Sequence, residues 1–160
     1  MTNMDLNLLD AIQMAMEAEQ KAAAFYTDAA QKTANPLGQE LFDQLAEFER
    51  YHCSKLAGLE KSLREEGAFV EYEGKELTLS VPSEVDSKEA NKMSVLEIIT
   101  LAINAERDAE KRYTTLAEQT TDPDGQAMFK RLAVEEHTHY RILSDEYYHL
   151  NNHGVWVWSE

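Results

Sequence analysis

Apolar residues in this chain fall into four long stretches with a helical period, and the stretches form two matching pairs. Leu9, Ile12, Met16, Ala23, Tyr26 and Ala30 step by three and four, with Glu19 in the same register. That rhythm predicts one inward face of a helix over about residues 5–33. Asn35-Pro36 offers a capping side chain followed by proline at the first helical position. A second helix is expected from about 36 to 66, stopped by Gly67. A third is expected over about 94–120, where Ser94 to Glu97 has the form of a capping box. Asp122-Pro123 repeats the cap-plus-proline start for a fourth helix, about 123–150.

Two segments break the helical rhythm. Phe69 to Tyr72 and Leu77 to Val81 alternate apolar and polar around Glu73-Gly74-Lys75, which predicts either a short hairpin or an extended strap. The crossover, about residues 67–93, is long enough to run the length of a helical bundle, which would make the second and third helices parallel. The tail, residues 151–160, ends in Val155-Trp156-Val157-Trp158. It is expected to be non-helical and to pack on this chain or on a partner.

The helical pairs are copies of one another. Residues 6–56 laid over 93–143 without a gap give 19 identical pairs, among them Leu9/Leu96, Tyr26/Tyr113, Gly38/Gly125, Phe42/Phe129 and Leu56/Leu143. Each copy reads as a helical hairpin that cannot bury its apolar face alone. Two such hairpins packed together make a four-helix bundle, and residues 1–160 are expected to form one domain.

The repeat carries polar residues onto the apolar faces. Glu19 and Glu106 lie 87 residues apart, and so do Glu49/Glu136 and His52/His139. In each copy a lone Glu precedes a Glu-x-x-His by 30 residues. Positions i and i+3 share a helix face, so each Glu-x-x-His aims a carboxylate and an imidazole at one spot. Buried unpaired carboxylates would each cost several kcal/mol. Four Glu and two His on four helices can instead grip a pair of metal ions. Carboxylates with two imidazoles suit iron or manganese better than a closed structural zinc site. Glu49 and Glu136 are expected to bridge, Glu19 and Glu106 each to bind mainly one metal or help bind it, and His52 and His139 to cap one metal each.

Three further residues are candidates. Tyr26 and Tyr113 follow Glu19 and Glu106 by seven residues, two turns along the same face. Each is either a hydrogen-bond donor to a ligand carboxylate of the opposing helix or an ordinary core aromatic. Glu110 replaces Ala23 of the first copy. It is either a seventh carboxylate near the metals or an edge residue paired with a surface cation. Cys53 points away from His52 and reads as a small core residue, while His137, His149 and His153 fall off the repeat and read as surface residues.

Charge and cysteine content narrow the setting. Fifteen Lys and Arg stand against 30 Asp and Glu, a formal charge of −15, which argues against binding nucleic acid or anionic membrane through charge. One cysteine excludes an intramolecular disulfide and a Cys-x-x-Cys metal site, and makes a reducing, cytoplasmic setting the default. Neither a signal peptide nor a membrane-spanning apolar run is seen.

The doubled Glu…Glu-x-x-His set, with Glu-x-x-Ala-x-x-Phe-Tyr from Glu19 to Tyr26, resembles the rubrerythrin branch of the ferritin-like superfamily. The resemblance covers most of residues 5–150. It implies an all-α, up-down-down-up bundle with two Fe ions per chain (Mn as the alternative), held by Glu19, Glu49, His52, Glu106, Glu136 and His139. It further implies two-electron reduction of peroxide or oxygen, of peroxidase or ferroxidase type. Rubrerythrins typically carry a four-cysteine rubredoxin domain. The single cysteine excludes one here, so a separate redox donor protein is expected. The family's extra carboxylate usually follows the ligand Glu by three residues, where this chain has Ala109, with Glu110 one further on. A homo-oligomer, with a dimer favoured, is the expected assembly. Iron storage or handling, and a metal-binding module without turnover, stand as alternative functions.

Overall fold

The structure is a computed structural model that describes residues 3–79 and 86–158. Four helices occupy most of it: α1 (Asn3–Lys32), α2 (Pro36–Glu66), α3 (Lys92–Gln119) and α4 (Pro123–His153). Helix α1 packs along α2 and α3 along α4, whereas α1 and α3 touch sparsely.

Helix directions follow from which core each end enters. One apolar cluster holds Tyr26 and Ala30 of α1, Leu37 and Leu41 of α2, Val95 and Ile99 of α3, and Leu143 and Leu150 of α4. The other holds Ile12 of α1, Leu56 and Leu59 of α2, Leu116 of α3, and Phe129 and Leu132 of α4. Helices α2 and α3 therefore both run from the first cluster to the second, and α1 and α4 run the opposite way. This is the up-down-down-up, ferritin-like bundle expected from the repeat. Glu19, Glu49, His52, Glu106, Glu136 and His139 all lie buried between the two clusters.

Local chemistry sets the helix ends. The Asn35 side chain accepts from Leu37 N–H, and Asp122 accepts from Asp124 and Gly125 N–H. Gly67 takes a left-handed φ of 66° and its N–H closes on Leu63 O. Two expected boundaries shift. Helix α4 continues past residue 150 to His153, because Gly154 (φ 70°) is the first residue there suited to a left-handed stop. Helix α3 begins at Lys92, so Ser94 lies inside the helix and no capping box forms. The Glu89 carboxylate accepts the Asn91 N–H just ahead of that start.

The crossover is a strap rather than a hairpin. Among the described residues it holds no strand, and Ser80 and Val81 of the expected second strand lie outside them. Phe69, Val70 and Tyr72 pack against the second cluster, while Leu77 and Leu79 pack against the first. The strap thus spans the ligand layer from end to end.

The tail packs on its own chain. Trp156 is buried against Phe42 and over Gly38, where a side chain would run into the indole ring. Trp158 donates to Leu37 O, and Lys88 bridges Val155. Glu89 fastens this end of the molecule. Its buried carboxylate accepts from Ala34 N, Asn35 N, Asn91 N and Trp156 Nε1, joining the α1–α2 turn, the start of α3 and the tail. At the bundle's other end Phe69 of the strap covers Gly125, the repeat partner of Gly38. Cys53 is half-buried rather than a core residue, its thiol facing Met16 O at 3.7 Å. No helix in the described residues is long and apolar enough to cross a membrane.

Glu89→Ala strands four N–H donors and should cost on the order of 3 kcal/mol. A chemical denaturation midpoint that falls while the slope stays unchanged is the expected result.

Candidate metal centre

Each ligand residue sits where its helix passes between the two apolar clusters, so all six side chains point into one layer. Their donor atoms form two groups. Glu19, Glu49, His52 and Glu136 each offer one atom within 4.8 Å of the others, and so do Glu49, Glu106, Glu136 and His139. Glu49 and Glu136 belong to both groups, as two bridging carboxylates would.

The two imidazoles turn the same atom inward. His52 Nδ1 lies 2.9 Å from Glu136 Oε1 and 3.6 Å from oxygens of Glu19 and Glu49. His139 Nδ1 lies 3.2 Å from Glu49 Oε1 and 3.5 Å from Glu106 Oε1. The tyrosines meet carboxylates across the bundle. Tyr26 donates to Glu106 Oε1 and Tyr113 to Glu19 Oε1, each at 2.6 Å. Burial, reinforced by nearby carboxylates, pushes both phenols well up, so they remain donors.

Glu135 is a site residue that the sequence reading missed. Its carboxylate accepts from His52 Nε2 (3.1 Å), Lys75 N (2.6 Å), Arg131 Nε (3.2 Å) and the Tyr72 hydroxyl. Burial opposes ionisation of Glu135, but these donors, His52 foremost, hold its carboxyl below the usual range. Its repeat partner is Phe48, whose ring stands edge-on to both imidazoles at 5.0 and 4.4 Å. His139 Nε2 consequently has no hydrogen-bond partner. The exchange of Phe48 for Glu135, next to the ligand Glu136, was the signal available in the sequence. The contacts to Tyr72 and Lys75 had none, because the strap lies outside the repeat.

Glu110 is placed away from the converging atoms. It is partly exposed and faces His137 Nδ1 at 2.9 Å. His137 is exposed, as read from the sequence.

The electrostatics call for cations. Burial and mutual repulsion push the Glu49 and Glu136 carboxyls well up. Glu19 is also raised by burial, but the neighbouring Glu49 and His52 and the Tyr113 hydroxyl outweigh this and lower it to about 2. Burial disfavours the charged imidazoles, yet the surrounding carboxylates raise both His52 and His139. Buried oxygens of Glu19, Glu49, Glu106 and Glu136 and both Nδ1 atoms lack hydrogen-bond partners. No Lys or Arg is buried among the described residues. Orphaned oxygens and nitrogens converging in two sets of four fit a pair of metal ions. A cavity of about 440 Å³ between α1 and α3 reaches Glu19, Glu49, Glu106 and Glu136 from outside.

Comparison with known proteins agrees with this geometry. Residues 1–60 and 97–155 match the sequence profile of the Rubrerythrin family. The solved structure of a hypothetical protein from Pyrococcus furiosus is similar at 27% identity and a TM-score of 0.73, over 93% of each chain. Among curated proteins no sequence matches. The chain belongs to the rubrerythrin family.

Glu49, Glu136, His52 and His139 all bind protons more tightly folded than unfolded. Their stabilisation is present at low pH and lost as pH rises through the folded values. Glu19 and Glu135 have the opposite sign, but their contribution is already complete above the ordinary carboxylate range. The melting temperature of chelator-treated protein should therefore fall as pH rises above the ordinary carboxylate and imidazole ranges. Glu146, raised to about 7 by burial beneath the tail, acts in the same direction. Glu146→Gln removes its share and leaves the cluster's. A flat or rising profile in that variant would contradict the assignment.

Proposed function

We propose that the chain is a di-iron oxidoreductase that reduces hydrogen peroxide or oxygen with electrons from a separate donor protein. The observation that carries this reading is a doubled, buried ligand set that opens to a cavity. A metal that only holds a fold together is closed in on all sides, whereas a reactive one keeps a position for substrate. The oxygen-rich donor set suits iron or manganese, and membership of the rubrerythrin family favours iron.

When bound, the metal pair supplies the two electrons that cleave an O–O bond. Glu19 and His52 would hold one ion and Glu106 and His139 the other, with Glu49 and Glu136 within reach of both. Tyr26 and Tyr113 fix the rotation of Glu106 and Glu19 by bonding one oxygen of each. That leaves Oε2 of both without a hydrogen-bond partner and free to bind metal. Glu135 orients His52 and raises the basicity of its inward nitrogen, while Phe48 gives His139 an apolar wall. The two ions thus receive unequal histidines. Glu110 remains on the rim with His137, an edge carboxylate that the proposed ligand set does not use. The single cysteine, Cys53, cannot build a four-cysteine electron-transfer centre, which supports a donor outside these residues.

Iron-loaded protein should hold about two ions per chain and consume peroxide when a reductant is supplied. The double variant Glu49→Ala, Glu136→Ala should lose most of its metal and all turnover, read by metal analysis and visible absorption. Stoichiometric metal surviving that change would sink the ligand assignment. Full metal without peroxide or oxygen consumption would instead indicate a binding module.

Glu135→Ala removes the anchor of one histidine only. Affinity for one of the two ions should drop about 10–100-fold while the other is held. Competition with a graded chelator should then turn a single release step into two.

A further inference from the structure

The opening between α1 and α3 is larger and more apolar than the smallest oxidants need. A water molecule takes up about 30 Å³ in the liquid, and hydrogen peroxide only about two such shares. The cavity measures about 440 Å³, within the range of roughly 300–1,000 Å³ typical of pockets for organic ligands. Outward of the carboxylates its wall is mostly apolar, formed by Ala18, Ala22, Phe25, Leu101, Ala105 and Ala109, with the charged Lys21, Asp108 and Arg112 also along it.

The space has an origin in the repeat. Ala18 and Ala22 stand one turn apart on α1, and their partners Ala105 and Ala109 do the same on α3. Small residues in both copies leave the space between the sparsely touching α1 and α3 unfilled over the carboxylate layer. Phe25 and Leu101 supply larger apolar surface along the cavity. At its floor lie Glu19, Glu49, Glu106 and Glu136, each at least 98% buried and each with a side-chain oxygen lacking a hydrogen-bond partner. The cavity therefore joins an apolar passage to an intensely polar end, a shape matched by a molecule with one reactive polar end and one apolar body.

We infer that this cavity admits organic hydroperoxides, with the hydroperoxy end at the carboxylate layer and the hydrocarbon group among the alanines, Phe25 and Leu101. The inference rests on the peroxide-reducing reading above and names a wider substrate class for it. The net reaction balances as ROOH plus two electrons and two protons giving ROH and water. The O–O bond breaks, the electrons come from the external redox donor, and the protons come from solvent. Burying the hydrocarbon group on the apolar lining supplies binding that hydrogen peroxide cannot obtain.

Ala105→Phe fills the passage without altering a ligand, and Ala18→Leu, its repeat position, serves if that variant fails to fold. In the metal-free protein, 2-phenyl-2-propanol, the alcohol formed from cumene hydroperoxide, should show saturable binding by calorimetry. The filled variant should bind it at least about tenfold more weakly. With iron loaded and metal content matched, the ratio of kcat/KM for cumene hydroperoxide to that for hydrogen peroxide should fall about tenfold or more in the variant. Absence of saturable binding to the wild-type chain overturns the inference, and so does an unchanged ratio in a fully metallated variant. If the iron-loaded protein consumes neither peroxide, the parent reading fails, and the binding measurement still decides whether the cavity takes an organic body.

Discussion

Four carboxylates held in one layer of a helical core impose the constraint from which the rest of this molecule follows. Glu19, Glu49, Glu106 and Glu136 are all buried, and their repulsion cannot be relieved by water. No buried lysine or arginine accompanies them among the described residues. The metal-free chain meets the cost by sharing protons, which is why Glu49, Glu136 and both histidines are raised. A pair of cations would replace those protons and let every carboxylate ionise. The apolar clusters above and below hold the layer in place, since each helix is anchored on both sides of its ligand.

The duplicated hairpin supplies two equal halves, and the unduplicated segments make them unequal. The strap brings Tyr72 and Lys75 to Glu135, and so reaches His52 but not His139. The tail seats Trp156 over Gly38, and the strap seats Phe69 over the equivalent Gly125. In both turns the same glycine vacates the same space, but different parts of the chain fill it. Symmetric carboxylates and imidazoles with asymmetric support leave His52 and His139 in different surroundings.

Access is asymmetric as well. On the α2 and α4 side Phe48, Tyr72 and the strap cover the layer, leaving a cavity of about 350 Å³ among Phe48, Lys75, Glu135 and His139. On the α1 and α3 side paired alanines leave the space between the helices unfilled, and the carboxylates lie within reach of a cavity.

The sequence by itself determined the helices, the repeat and the six residues that meet in the buried layer. All three depend on short-range periodicity: a three-residue step puts Glu49 beside His52 whatever the rest of the chain does, and Pro36, Pro123 and Gly67 act on their own turns. Boundaries that depend on distant groups were less legible. Ser94 offers a capping box, yet α3 starts two residues earlier, and α4 runs on to Gly154. Glu110 and Glu135 both replace apolar residues of the first copy, and the pattern does not say which turns inward. Tertiary structure decided that. The strap donates a backbone N–H and a phenol to Glu135 and draws it into the layer, whereas Glu110 meets His137 at the surface. The choice lies in contacts some 60 residues apart in the chain for Glu135. It turns on the path of an irregular segment whose position is set by packing along its whole length and by no local rule of spacing.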